Sequence, residues 1–93
     1  MIPFSSKLAV SEDVMIRQVG DETVLLDLKS MKYMGLDDVS TRMWQLLTAS
    51  DSIQSAYDAL MAEFEVEPEQ LRKDLGEYVQ QLLNLGLVQL KQQ

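Results

Sequence analysis

The chain has no cysteine and no histidine among its 93 residues. Without cysteine it forms no disulfide, thiolate nucleophile, zinc knuckle or iron–sulfur site. Without histidine it also lacks the commonest general base near neutral pH and the commonest metal ligand. What remains is carboxylate chemistry, and the adjacent acidic pairs Glu12-Asp13, Asp21-Glu22 and Asp37-Asp38 each sit beside an expected turn or strand end. The expectation is a chain with no catalytic activity, no cofactor and no metal. Positive charge is scarce too: eight Lys and Arg stand against fifteen Asp and Glu, a net charge of -7. Only Arg72 and Lys73 are adjacent, whereas duplex binding needs clustered cations to neutralise phosphates, so no nucleic-acid partner is expected. The acidic surplus reads as a solvated, self-repelling surface. No apolar run approaches the roughly 18 residues of a membrane span, and "MIPFSSKLAV" has no apolar signal core or small-residue cleavage site. No membrane partner is expected, and a cytoplasmic location follows by default.

What is present is an ordinary globular composition, 46% hydrophobic and 25% charged. At this length the chain makes one domain, residues 1–93, in which 1–10 are expected as a flexible N-terminal segment. "VMIRQV" (14–19) and "TVLLDL" (23–28) are β-branched-rich runs separated by "GDE", a hairpin signal. In the second run Val24, Leu26 and Leu28 alternate onto one face. A further short turn leads into "KYMGL" (32–36), where Met34 and Leu36 share the expected buried face and Lys32 and Tyr33 flank it. A three-stranded meander is marginal alone and must cover its apolar face with helices.

The helices follow at once. Asp37, Asp38 or Ser40 caps a first helix carrying Val39, Met43, Leu46 and Leu47 at helical spacing, with Trp44 read as core. Asp51 or Ser52 opens a second, striped by Ile53, Ala56, Tyr57, Leu60, Met61 and Phe64. Pro68 suits the first turn of a third helix, and Gly86 is placed to end it. The expected class is α+β and winged-helix-like, a three-stranded antiparallel sheet followed by three helices (βββααα).

In the third helix Leu71, Leu75, Tyr78, Leu82 and Leu85 fall within one arc, while Arg72, Gly76, Val79 and Leu83 form a second row beside it. Mid-helix Gly76 costs about 1 kcal/mol relative to alanine unless something approaches closely. Two explanations stand: a neighbouring element packs tightly there, or a groove admits a second chain. On the second, Val79 is a rim position, and Val79→Glu harms binding more than folding, in contrast to Leu75→Glu.

The order Leu25-Leu26-Asp27, Tyr33, Gly35-Leu36, Trp44 with Leu46-Leu47, and Gly86-Leu87-Val88 resembles the PqqD-like family over about residues 14–90. These are small winged-helix-type recognition elements for ribosomally made, modified peptides. Ser30-Met31 stands where the family often has Gly in the turn, and Ser40 where a small Gly is common. The stretch is closer to members from lasso-peptide and related clusters than to those dedicated to pyrroloquinoline quinone assembly. The resemblance implies a non-catalytic protein that takes the leader segment of a precursor peptide as an added strand. It then presents that leader to a modifying enzyme or leader peptidase of the same pathway. An unpaired strand edge supplies the backbone groups for such pairing. On this reading Lys32, Tyr33, Met34, Gly35 and Leu36 form the ladder, and Arg72, Leu75, Gly76, Val79 and Leu83 line the facing wall. Arg72 and Lys73 pair with leader carboxylates. Two alternatives remain open: a winged-helix DNA-binding regulator, and an interaction module whose free edge pairs with its own copy as a homodimer.

Overall fold

A computed structural model describes residues 2–91. The strands are β1 (Lys7–Val10), β2 (Val14–Val19), β3 (Glu22–Asp27), β4 (Tyr33–Leu36) and β5 (Val88–Lys91). Between β4 and β5 lie the helices α1 (Asp38–Ala49), α2 (Ile53–Glu63) and α3 (Pro68–Asn84). The expected three-stranded antiparallel sheet is present in the order β2-β3-β4, and the three helices follow it. The βββααα description is incomplete, because β1 and β5 pair as a second antiparallel ribbon, with Lys7 opposite Lys91 and Val10 opposite Val88. The segment before the first hairpin, expected to be flexible, thus holds a paired strand whose Leu8 is 3% exposed.

Local chemistry accounts for most boundaries. Gly20 takes φ +62° at the first position of the two-residue β2–β3 loop, where primed hairpin turns need it. The Ser40 N–H donates to Asp37 Oδ1 at 2.8 Å, capping α1, and the Ser55 N–H donates to Ser52 Oγ at 3.1 Å, capping α2. Two further amides at the start of α2 are satisfied from far away in sequence: Ile53 N–H donates to the Ser6 carbonyl and Gln54 N–H to the Phe4 carbonyl, both at 2.8 Å. Pro68 opens α3. At its other end Gly86 (φ +74°) closes a Schellman arrangement, with Leu87 N–H on the Leu82 carbonyl and Gly86 N–H on that of Leu83.

One core joins the helices to one face of the sheet: Leu25, Leu36, Leu47, Ile53, Leu60, Leu75, Leu82 and Leu87 are all fully buried. Trp44 lies in this core at 4% exposure, as expected. The core face of β3 is Thr23, Leu25 and Asp27, however, and Leu28 lies outside the strand, exposed. "TVLLDL" is apolar on both faces, so alternation alone does not select the inner one. The selection comes from β4, whose Leu36 and Met34 stand opposite Thr23 and Leu25.

Candidate functional site

The outer edge of β4 has no neighbour among the described residues. Its register fixes which backbone groups are free. Asp27 N–H donates to the Lys32 carbonyl at 2.8 Å, and these residues lie directly opposite in the antiparallel register that pairs Leu26 with Tyr33. Hydrogen-bonded and non-hydrogen-bonded pairs alternate along such a ladder. Met34 and Leu36 therefore turn their N–H and C=O groups inward to β3, while Lys32 turns only its carbonyl there and donates its N–H to the Ser30 hydroxyl oxygen at 3.3 Å. Tyr33 and Gly35 turn theirs outward. Both are exposed, Tyr33 at 70%, while the Met34 and Leu36 side chains point to the helical layer.

Asp27 holds this edge in place. Its Oδ1 accepts from the Lys29 N–H at 3.0 Å and its Oδ2 from the Ser30 hydroxyl at 2.9 Å, while its carbonyl accepts from Met31 N–H at 2.7 Å. The Lys29 amide, followed by the Ser30 hydroxyl, keeps the Asp27 carboxyl below its ordinary value. Within this turn Met31 adopts φ +61°, the left-handed region that glycine fills without strain. A glycine at this position would hold the same conformation without the clash that a Cβ brings.

Beyond Leu36 the chain enters α1, and here α3 approaches. The Tyr78 hydroxyl donates to the Ser40 carbonyl at 3.0 Å. Burial, with the Asp37 carboxylate nearby, pushes the Tyr78 phenol well above its ordinary range. At 100° per residue, Asp74, Gln81 and Leu85 share the Tyr78 side of the helix. This stripe is the one turned toward α1 and the end of β4. Beside it, Val39, Met43, Phe64, Val66 and Leu71 enclose a cavity of about 140 Å³, with Gln70 and Asp74 also lining it.

The α3 residues singled out from sequence lie elsewhere. Val79, expected at a rim, is 0% exposed, as is Leu75. The two are only about 40° apart around the helix, and α3 needs a wide apolar arc because it packs on both α2 and β5. Leu83 is half-buried against the core. Arg72 stacks its guanidinium over Phe4 (4.5 Å to the ring centroid) and Tyr57 (4.9 Å) and donates to Gln54 Oε1 at 3.2 Å. Arg72, Lys73 and Gly76 line an open cavity of about 550 Å³ shared with Ile2, Pro3 and Phe4. The structure therefore separates Lys32–Leu36 from the Arg72–Gly76 row, which face different neighbours. The stripe through Asp74, Tyr78 and Gln81 was missed by sequence reasoning, although Tyr78 gave a signal: a phenol in an apolar arc needs a partner for its hydroxyl. Among the described residues no group of His, Cys, Asp and Glu is arranged to hold a metal ion, and no helix is long and apolar enough to cross a membrane.

The family model for coenzyme PQQ synthesis protein D (PqqD) matches residues 22–88. No curated protein matches the chain. Among solved structures, the chain is similar to TbiB1 in complex with the TbiA(beta) leader peptide, at 34% identity and a TM-score of 0.77, over 86% of this chain and 93% of that one. It is also similar to lasso peptide synthetase B1 complexed with the leader peptide, at 25% identity and a TM-score of 0.79, over 89% of this chain and 98% of that one. The stretch that the family model matches runs from β3 through the open β4 edge and all three helices into β5, and on that match the chain belongs to the PqqD family.

Proposed function

We propose that this chain is a non-catalytic recognition element of a lasso-peptide or similar pathway. It binds the leader segment of a ribosomally made precursor as a strand added to β4 and presents it to a modifying enzyme or leader peptidase. The observation that carries this reading is the open β4 edge, in a fold shared with two proteins solved with leader peptides. Tyr33 and Gly35 supply the outward N–H and C=O groups, so backbone pairing gives affinity and side-chain contacts give selectivity. Lys32, Met34 and Leu36 hold the edge from within. The facing wall is the Asp74–Tyr78–Gln81 stripe of α3 in place of the Arg72, Gly76 and Val79 row, since Arg72 is engaged with Phe4 and Tyr57 and Val79 is buried.

Calorimetric titration with a synthetic leader from the precursor encoded beside this chain tests the reading. Binding is expected at nanomolar to low micromolar affinity, about -8 to -12 kcal/mol. Gly35→Pro removes an outward N–H and weakens binding at least about tenfold, equivalent to roughly 1.4 kcal/mol, with the fold retained. No leader binding by the folded parent protein would refute the reading. Duplex DNA is expected not to bind at physiological salt, because Glu69, Glu77 and the Gln80-Gln81 pair on the exposed surface of α3 offer phosphate little attraction.

A further inference from the structure

We propose that the exposed face of α3 around Gly76 pairs with the same face of a second copy of this chain, antiparallel about a two-fold axis. Gly76 sits near the middle of a 17-residue helix, where glycine weakens the helix. Nothing lies within 4 Å of where its Cβ would be, so no contact inside the protein requires the missing side chain. The residue opens instead onto the cavity of about 550 Å³ whose other wall is Ile2, Pro3 and Phe4. An apolar hollow beside a helix backbone without a side chain is the shape that a second helix fills at close approach.

The charges around Gly76 select the occupant. Lys73 and Glu77 both line the cavity, and neither has an ionic partner among the described residues, whose one salt bridge joins Arg42 to Glu63. They lie one turn apart, about 3 Å above and below the level of Leu75 at 1.5 Å per residue. A two-fold axis crossing the helix at that level sets Lys73 of each copy against Glu77 of the other, twice. An isologous interface needs this self-complementarity, and a net charge of -7 per chain makes compensating pairs necessary for two copies to meet. Gly76 and Lys73 lie about 160° and 140° around α3 from Tyr78, and Glu77 forms the margin of the face one turn from Gln81, so the axis through Gly76 points away from both β4 edges. The inference does not depend on leader binding.

Sedimentation equilibrium over a concentration series tests it. The parent protein is expected to approach twice the monomer mass. Lys73→Glu and Glu77→Lys each weaken the dimer at least about tenfold, while the double exchange restores it. Gly76→Leu abolishes dimerisation yet melts no lower than the parent, which separates a blocked interface from a lost fold. A parent protein that stays monomeric to about 1 mM, the weakest association worth naming, overturns the proposal. So do single reversals that leave the mass unchanged. Addition of leader provides the cross-check: a dimer that leader splits is paired through β4, which also overturns the proposal, whereas a dimer that binds no leader leaves it intact and removes the leader-binding reading alone.

Discussion

Met31 and Asp27 show at single-residue scale how the β3–β4 turn is built and what it costs. Met31 is 66% exposed and held at φ +61°, so its side chain contributes little burial while its Cβ disfavours the conformation. Met31→Gly should stabilise the domain by about 1 kcal/mol, read as a higher urea midpoint with an unchanged slope. Asp27 makes the opposite contribution through hydrogen bonds that require its charged form. Its carboxyl is held below 3.8, so the stability it supplies is present above that pH and is lost as pH falls through the lower folded value. Asp27→Asn should therefore melt below the parent at pH 7, with the gap narrowing as pH falls below the ordinary carboxylate range. A gap that persists undiminished in acid would mean that the carboxylate is not what holds the turn.

At the scale of elements, alternation along β4 makes a paired claim about the backbone. Met34→Pro removes an inward donor to β3 and should cost about 3 kcal/mol or more, while Gly35→Pro at the outer edge should melt near the parent. Equal damage at both positions would show that the inferred ladder is out of phase. In α3, Val79→Glu buries an unpaired charge and should unfold the domain much as Leu75→Glu does, a loss of about 3 kcal/mol or more in thermal melts. Tyr78→Phe gives up the bond to the Ser40 carbonyl and should cost about 1 kcal/mol. What was legible in the sequence follows the range of the interactions. The hairpin, the β4 strand and the three helices with their Asp37, Ser52, Pro68 and Gly86 signals all depend on neighbours a few residues away. The face of β3 was not legible, because Val24 and Leu26 are as apolar as Leu25. The lateral spread of the α3 core was also hidden, since a helix gripped by both α2 and β5 buries Val79 together with Leu75, and no local pattern reports how many neighbours a helix has. Gly76 was visible as an anomaly, but which side of α3 it faces became clear only from the position of Phe4 and Arg72.

For the whole molecule, the decisive contacts are those between the two ends of the chain. "KLAV" and "VQLK" are each four residues long and carry no turn signal connecting them, so their pairing could not be read locally. Yet residues 2–10 bury Leu8, satisfy two amides of α2 and supply Phe4 to the Arg72 stack. Deleting them should cost at least about 3 kcal/mol in denaturant unfolding. A truncated chain with the parent's midpoint would show that the ribbon is dispensable. The same ribbon has a consequence for how the domain opens. With Lys7 opposite Lys91 and Val10 opposite Val88, its four pairs have one open end, so fraying begins at Lys7 and Lys91 while the pair nearest the first hairpin holds.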